Sequence, residues 1–177
     1  MATKTVAKTD FSFNREYIDY IRKTFTNPFK FRLMLAGRLP MGFLSGMKVT
    51  ELSEETCKVT VNYKWLNKNP FRSTFWAVLG MAAEMSSGAL LIMYTYKQKP
   101  SISTLVVDTQ AKYYKKATGK TTFVCHSGKD IAAGVEQAIR TGESVQVTCP
   151  MTGYNSQGEA ICEFSFTWSL KARRPKG

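Results

Sequence analysis

Histidine occurs once in the chain, at His126, and acidic residues are scarce, 13 against 25 Lys and Arg. Four cysteines stand at 57, 125, 149 and 162, and no Cys-x-x-Cys pair occurs. That spacing argues against a structural zinc site or a dithiol redox motif, and neither metal nor cofactor is expected. There is no low-complexity tract, and at 177 residues the chain is expected to build one core. The opening MATKTVAKTD lacks the apolar stretch of a secretory signal, and Asp10 and Glu16 sit poorly in an organelle presequence. The expectation is a cytoplasmic setting with free thiols. What the chain has in excess is positive charge, formally +12, which favours an anionic partner or surface.

Only one long apolar run exists, Phe75 to Tyr94, with Glu84 its single charge. As a helix it would be roughly 30 Å long, enough to span a bilayer. A carboxylate at its midpoint is costly in hydrocarbon, and strand-like segments follow that need a covering helix. The expected reading is a buried core helix and no transmembrane segment. Ser73 and Thr74 offer N-cap hydroxyls. Ala77, Gly80, Glu84, Ser87 and Gly88 fall three or four apart, giving one side of small residues around a carboxylate. Val78, Met81, Met85, Ala89 and Ile92 read as the opposite, core-facing surface.

Residues 1–11 and the tail from Arg173 read as loose ends. Ser12 can cap a helix from about Phe13 to Phe25, with Tyr17, Ile18, Ile21 and Phe25 on one face. Asn27-Pro28 is a second start signal, for a short helix that Gly37 can end. Lys30 and Arg32 among phenylalanines and leucines leave a membrane-surface anchor open as an alternative use of this helix. Leu39 to Gly46 reads as an apolar loop. Met47–Leu52 reads as a strand, and Cys57 to Trp65 alternates with period two. Ser101–Tyr114 is a strand long enough to require a bend or bulge. Thr121–His126 is the next strand, and Asp130–Arg140 a helix with a Glu136–Arg140 pair, stopped by Gly142. Val145–Thr152 and Glu159–Lys171 form a hairpin, and Cys162, Phe164, Phe166, Trp168 and Leu170 share one face. Five or six antiparallel strands with a single long helix call for an α+β fold in which a curved sheet wraps the helix, its edges available for pairing between subunits.

The chain resembles the hot-dog-fold acyl-thioester hydrolase superfamily, in a branch related to the phenylacetate-pathway thioesterases. The resemblance rests on Asn69-Pro70-Phe71-Arg72-Ser73-Thr74-Phe75 followed by Ala82-Ala83-Glu84-Met85-Ser86-Ser87-Gly88, on Tyr114-Lys115-Lys116-Ala117-Thr118-Gly119, and on Gly158-Glu159-Ala160-Ile161-Cys162. It implies an N-terminal helical extension over residues 1–38 and a hot-dog domain over residues 39–177. It implies an acyl-CoA or similar thioester as ligand, Glu84 as general base or nucleophile, and Asn69 as a second catalytic residue. Phe75, Trp76, Ala77, Gly80, Ser87 and Gly88 would line the substrate site, with amides near Phe75 and Trp76 polarising the thioester carbonyl. Relatives often carry His-Gly-Gly where this chain has Phe75-Trp76-Ala77. The resemblance also implies a homodimer or a dimer of dimers.

Two functions therefore stand side by side: hydrolysis of an acyl thioester, and non-catalytic binding of acyl-CoA or lipid on the same scaffold. Scattered lysines without a repeated basic-aromatic motif rank a nucleic-acid or membrane-surface binder last, and no nucleic acid is expected as a partner. His126 and the cysteines are expected to take no part in catalysis.

Overall fold

The computed structural model describes residues 11–173. Most of both loose ends lies outside that span. Phe11, at its start, packs edge-on against Phe13, and the Arg173 amide donates to the Ser101 carbonyl at 2.8 Å.

Three helices come first. α1 (Arg15–Thr26) is capped by Asn14, not Ser12: the Asn14 Oδ1 accepts from the Glu16 amide at 2.9 Å. An Asn two positions nearer the first helical residue meets the free amides that a serine at 12 cannot reach. Ile18, Ile21 and Phe25 are its buried face, as the periodicity predicts. α2 (Pro28–Arg38) begins as read, with Asn27 as cap and Pro28 in the first turn. It runs through Gly37. The apolar stretch after it is a short helix, α3 (Pro40–Ser45), closed by Gly46 in the left-handed conformation at φ 72°. Gly42 belongs inside α3 because a side chain there would crowd Leu39, Met47 and Leu35.

β1 (Lys48–Leu52) and β2 (Cys57–Asn62) form an antiparallel pair. The strand read as far as Trp65 stops at Asn62. Trp65–Asn67 is one 3₁₀ turn, fixed where the buried Asn67 Nδ2 donates to the carbonyls of Ser45 and Asn62. α4 (Trp76–Thr95) is the long helix. Its length and composition would allow a membrane crossing, but it is a core helix, lying against β1, β2, β4, β5 and β6. Neither Ser73 nor Thr74 caps it. Phe75 holds the cap position with no side-chain bond, and the Thr74 hydroxyl instead donates to the Ala117 carbonyl at 3.0 Å.

β3 (Ile102–Tyr113), β4 (Lys120–Cys125), α5 (Gly128–Thr141), β5 (Val145–Tyr154) and β6 (Ala160–Ala172) complete the chain. Gly142 stops α5 as expected. No ion pair joins Glu136 and Arg140 among the described residues; exposed pairs of this kind gain little. The six strands run β1-β2-β4-β5-β6-β3, every pair antiparallel. This is the hot-dog architecture: a sheet curved around α4, with helices preceding it. Cys162, Phe164, Phe166, Trp168 and Leu170 all face the core. The four cysteines are buried free thiols.

β3 holds one edge. It pairs with β6 on one side only and carries the expected bulge, a register shift between Val106 and Asp108. Leu105 and Val107 are exposed on it, so a long row of backbone groups and two large apolar side chains face outward.

Candidate active site

The buried part of α4 comprises Val78, Leu79, Ala82, Ala83, Ser86, Ser87, Ala89, Leu90, Leu91, Met93 and Tyr94. Between the terminal residues Trp76 and Thr95, what remains is one open stripe: Ala77, Gly80, Met81, Glu84, Met85, Gly88 and Ile92. At 100° per residue these fall within a single arc. Met81, Met85 and Ile92 therefore share the side of Glu84, and are not the opposite core face. Val78 and Ala89 do face the core.

Along this stripe lies a hollow of about 220 Å³, lined by Leu39, Met81, Glu84, Met85, Gly88, Leu91, Ile92, Thr104 and Trp168. Glu84 is half-buried and makes no side-chain hydrogen bond or ion pair among the described residues. Burial holds its carboxyl above the ordinary carboxylate range. An added methyl at Gly88 would meet open space, so the glycine keeps the hollow clear. Ser87 is turned away from it. Its hydroxyl donates to the Glu84 carbonyl at 3.0 Å and accepts from the Trp168 indole at 3.0 Å, within the core. Gly80 faces the Phe164 ring at ordinary contact distance.

A second hollow, about 340 Å³, opens at the start of α4. Asn69, Ser73, Thr74, Trp76, Leu79, Tyr113, Tyr114, Lys115, Lys116 and Ala117 line it. Here the Phe75 amide is taken by the Asn67 carbonyl at 2.7 Å, whereas the Trp76 and Ala77 amides have no acceptor among the described residues. These two are the unpaired donors of the helix start, and they carry its positive dipole end. Phe75 and Trp76 stand with their rings largely exposed. Asn69 shapes this approach. Its Oδ1 accepts from the amides of Phe71 at 3.0 Å and Ser73 at 3.1 Å, and its Nδ2 lies 3.1 Å from the Ser73 hydroxyl. The turn it closes holds Arg72 at φ 60°, in the left-handed region.

Glu84 and the free amides do not meet. Seven residues of helix separate Ala77 from Glu84, roughly 10 Å along the axis. A base and an oxyanion donor must converge on one carbonyl within about 3 Å. The structure thus gathers Asn69 and Trp76 in one hollow and Glu84 with Gly88 in another.

A third hollow, about 860 Å³, lies on the outer face of the sheet, lined in part by Lys58, Lys112, His126, Tyr154 and Glu163. His126 lies 2.9 Å from the Thr56 hydroxyl through Nδ1, and Glu163 accepts from the Tyr114 hydroxyl at 2.7 Å. Among the described residues no group of three His, Cys, Asp or Glu is placed to hold a metal ion.

Sequence reading missed Thr104 and Trp168 beside Glu84, and Tyr113, Tyr114, Lys115 and Lys116 beside the helix start. Trp168 was available as the only indole in the alternating last strand. Thr104 and Tyr113 reach the site through the register of β3, and Tyr114, Lys115 and Lys116 follow directly from its end, which periodicity does not reveal.

The sequence matches the family described as "Domain of unknown function (DUF4442)" over residues 31–170. No curated protein matches it. Among solved structures, a protein of unknown function from Chlorobaculum tepidum is similar at 17% identity and a TM-score of 0.69, covering 82% of this chain and 94% of that one. A Pseudomonas aeruginosa protein of unknown function, named a probable thioesterase, is similar at 15% identity and a TM-score of 0.69, covering 88% and 95%. A thioesterase from Haemophilus influenzae is similar at 12% identity and a TM-score of 0.60, covering 82% and 91%. These likenesses show the shared hot-dog fold. The chain belongs to the family of unknown function that its sequence matches.

Proposed function

We propose that this member of the family hydrolyses an acyl thioester, an acyl-CoA or a close analogue, in a site completed by a second copy of the chain. The observation that supports this reading most is Glu84: an unpaired carboxylate in an apolar hollow, with a raised pKa, on the central helix of a hot-dog fold. In this reading the Glu84 carboxylate takes a proton from water as the water oxygen attacks the thioester carbonyl. The developing oxyanion accepts hydrogen bonds from the Trp76 and Ala77 amides of the second copy. Collapse of the adduct breaks the C–S bond and expels the thiolate. Alternatively Glu84 attacks the carbonyl directly, and water cleaves the resulting anhydride. Asn69 is a positioning residue that fixes the approach to the helix start.

Pairing through the exposed β3 edges is the arrangement that suits a composite site, since Thr104 of β3 already lines the Glu84 hollow. The acyl chain would lie along Met81, Met85 and Ile92, flexible where methionine lines it. Medium and long acyl groups are expected to be hydrolysed faster than acetyl, and a chain-length screen favouring acetyl overturns that expectation. The test of the main proposal is Glu84→Gln assayed on a panel of acyl-CoAs, with a thermal melt of both proteins. Hydrolysis that survives intact in a well-folded variant ends the catalytic assignment.

A second reading, acyl-CoA binding without hydrolysis, is favoured by one observation. The Phe75 and Trp76 rings occupy the helix start where a thioester carbonyl would have to approach. Saturable acyl-CoA binding with no turnover by the parent protein would establish it.

A further inference from the structure

Large apolar side chains usually leave the surface of a soluble domain in ones and twos. Here several sit on three adjoining elements. On α2, Phe29 and Leu33 are 78% and 67% exposed, one turn apart. On α3, Met41 is 63% exposed, and in the 3₁₀ turn Trp65 is 75% exposed with Leu66 beside it at 57%. The three elements form one surface. α2 packs on α3, the Lys64 ammonium donates to the Leu44 carbonyl at 2.8 Å, and Asn67 Nδ2 donates to the Ser45 carbonyl at 2.8 Å. None of these side chains lines the Glu84 hollow or the hollow at the helix start.

The charge within the segments that carry them has one sign. Residues 20–50 contain six Lys or Arg and no Asp or Glu, and residues 56–83 contain four and none. Arg32 lies over the Phe43 ring at 4.2 Å and Lys68 over Trp65 at 5.9 Å, so cations are interleaved with the apolar groups.

We propose that this face, α2, α3 and the turn at Trp65, docks on an anionic lipid bilayer. Apolar side chains rimmed by lysine and arginine, with tryptophan among them, match the acyl–headgroup boundary and its negative surface potential. A second copy of the chain fits poorly. A two-fold contact would bring the same patch against itself, cation against cation. Nucleic acid fits the charge but leaves Leu33, Met41 and Leu66 unused, because aliphatic side chains do not stack on bases as rings do. The inference does not depend on the hydrolytic reading.

The test is flotation of the full chain with vesicles of phosphatidylcholine containing about one third phosphatidylserine, against phosphatidylcholine alone, at about 0.15 M salt. The chain is expected to float with the anionic vesicles and to stay behind with the neutral ones. Two variants are compared: Lys30→Glu with Arg32→Glu, and Trp65→Ser with Leu66→Ser. All four positions are exposed, and circular dichroism checks that the fold is kept. Each variant should lower vesicle partition at least about tenfold. Trp65 is also a reporter. The blue shift of fluorescence on binding should vanish in Trp65→Phe and persist in Trp76→Phe. Absence of flotation overturns the proposal, as does flotation that neither variant weakens. Light scattering in which Trp65→Ser with Leu66→Ser turns an oligomer into a monomer overturns it in favour of a second copy. Retained hydrolysis of dissolved acyl-CoA in both variants keeps this outcome separate from that of the proposed reaction.

Discussion

Two hollows open on α4, and each lacks what the other has. The one at mid-helix has a carboxylate and apolar walls but no free backbone donor. The one at the helix start has two unpaired amides and the lysines 115 and 116, but no acid. Acyl transfer requires both at one carbonyl. One helix cannot bend seven residues back on itself, so the two halves can converge only across a boundary between copies. The difference teaches that the unit of function in this proposal is a pair of chains, and that an intact monomer can be chemically incomplete.

The sharpest way to break this comparison is to disable each hollow separately. Glu84→Gln should lower acyl-CoA hydrolysis at least ~100-fold. Trp76→Pro deletes one free amide while keeping the helix, since Phe75 is already extended at ψ 134° as a residue before proline must be. It should cost about 100-fold relative to Trp76→Ala, which removes the ring and keeps the amide. Mixing the two inactive proteins under exchange should restore roughly a quarter of parental activity, because half the pairs are mixed and each then holds one competent site. Mixtures that stay inactive, with exchange verified by mass spectrometry, would place the whole site in one chain.

A milder intervention leaves both hollows intact and separates the copies. Leu105→Lys with Val107→Lys puts like charges on the β3 edge. Light scattering should report a monomer, and hydrolysis should fall as the dimer is lost. A monomer with full activity would refute the composite site.

Smaller effects follow within one chain. Asn69→Ala removes the acceptor for two amides beside a left-handed Arg72, and should cost about 1–3 kcal/mol in a denaturant titration. The pH dependence of Glu84 gives the smallest change. Burial raises its folded pKa above the unfolded value near ~4.3. Its contribution to stability is complete below the unfolded value and is lost as pH rises through the folded one. Glu84→Gln should therefore melt above the parent at neutral pH, and the gap should close toward acid. Hydrolysis should rise with pH through the same raised value, as the base ionises.

Much of the fold was legible because its signals are local. Alternation marked β6 correctly from Cys162 to Leu170, and Asn27-Pro28 marked the start of α2. Gly142 marked the end of α5. α3 was missed although Pro40 and Gly46 are ordinary start and stop signals. Two glycines in eight residues suggested a loop, and the room that requires Gly42 exists only once Leu35, Leu39 and Met47 are packed. Trp65 continued the alternation of β2 in the sequence, but Asn67 reaches back to the Ser45 and Asn62 carbonyls and ends the strand sooner. The open stripe of α4 was partly legible. Gly80, Glu84 and Gly88 were placed together, but Met81, Met85 and Ile92 were assigned across the helix although their angular positions adjoin Glu84. The walls brought by Thr104, Tyr113 and Trp168 depend on long-range register.

The bulge in β3 amounts to a change of parity. Up to Val106 the even-numbered residues face the sheet's inner side: Ile102, Thr104 and Val106 stand opposite Ala172, Leu170 and Trp168. Beyond it the odd ones do, with Thr109, Ala111 and Tyr113 opposite Phe166, Phe164 and Cys162. Without that one extra residue, Gln110 and Lys112 would be counted into the core, and Tyr113 would lose its edge-on contact with Phe164. Val107 is thus the place where the chain switches its count. Thr104 toward Glu84 and Tyr113 toward the helix start can both face inward only because the strand is one residue out of step with itself.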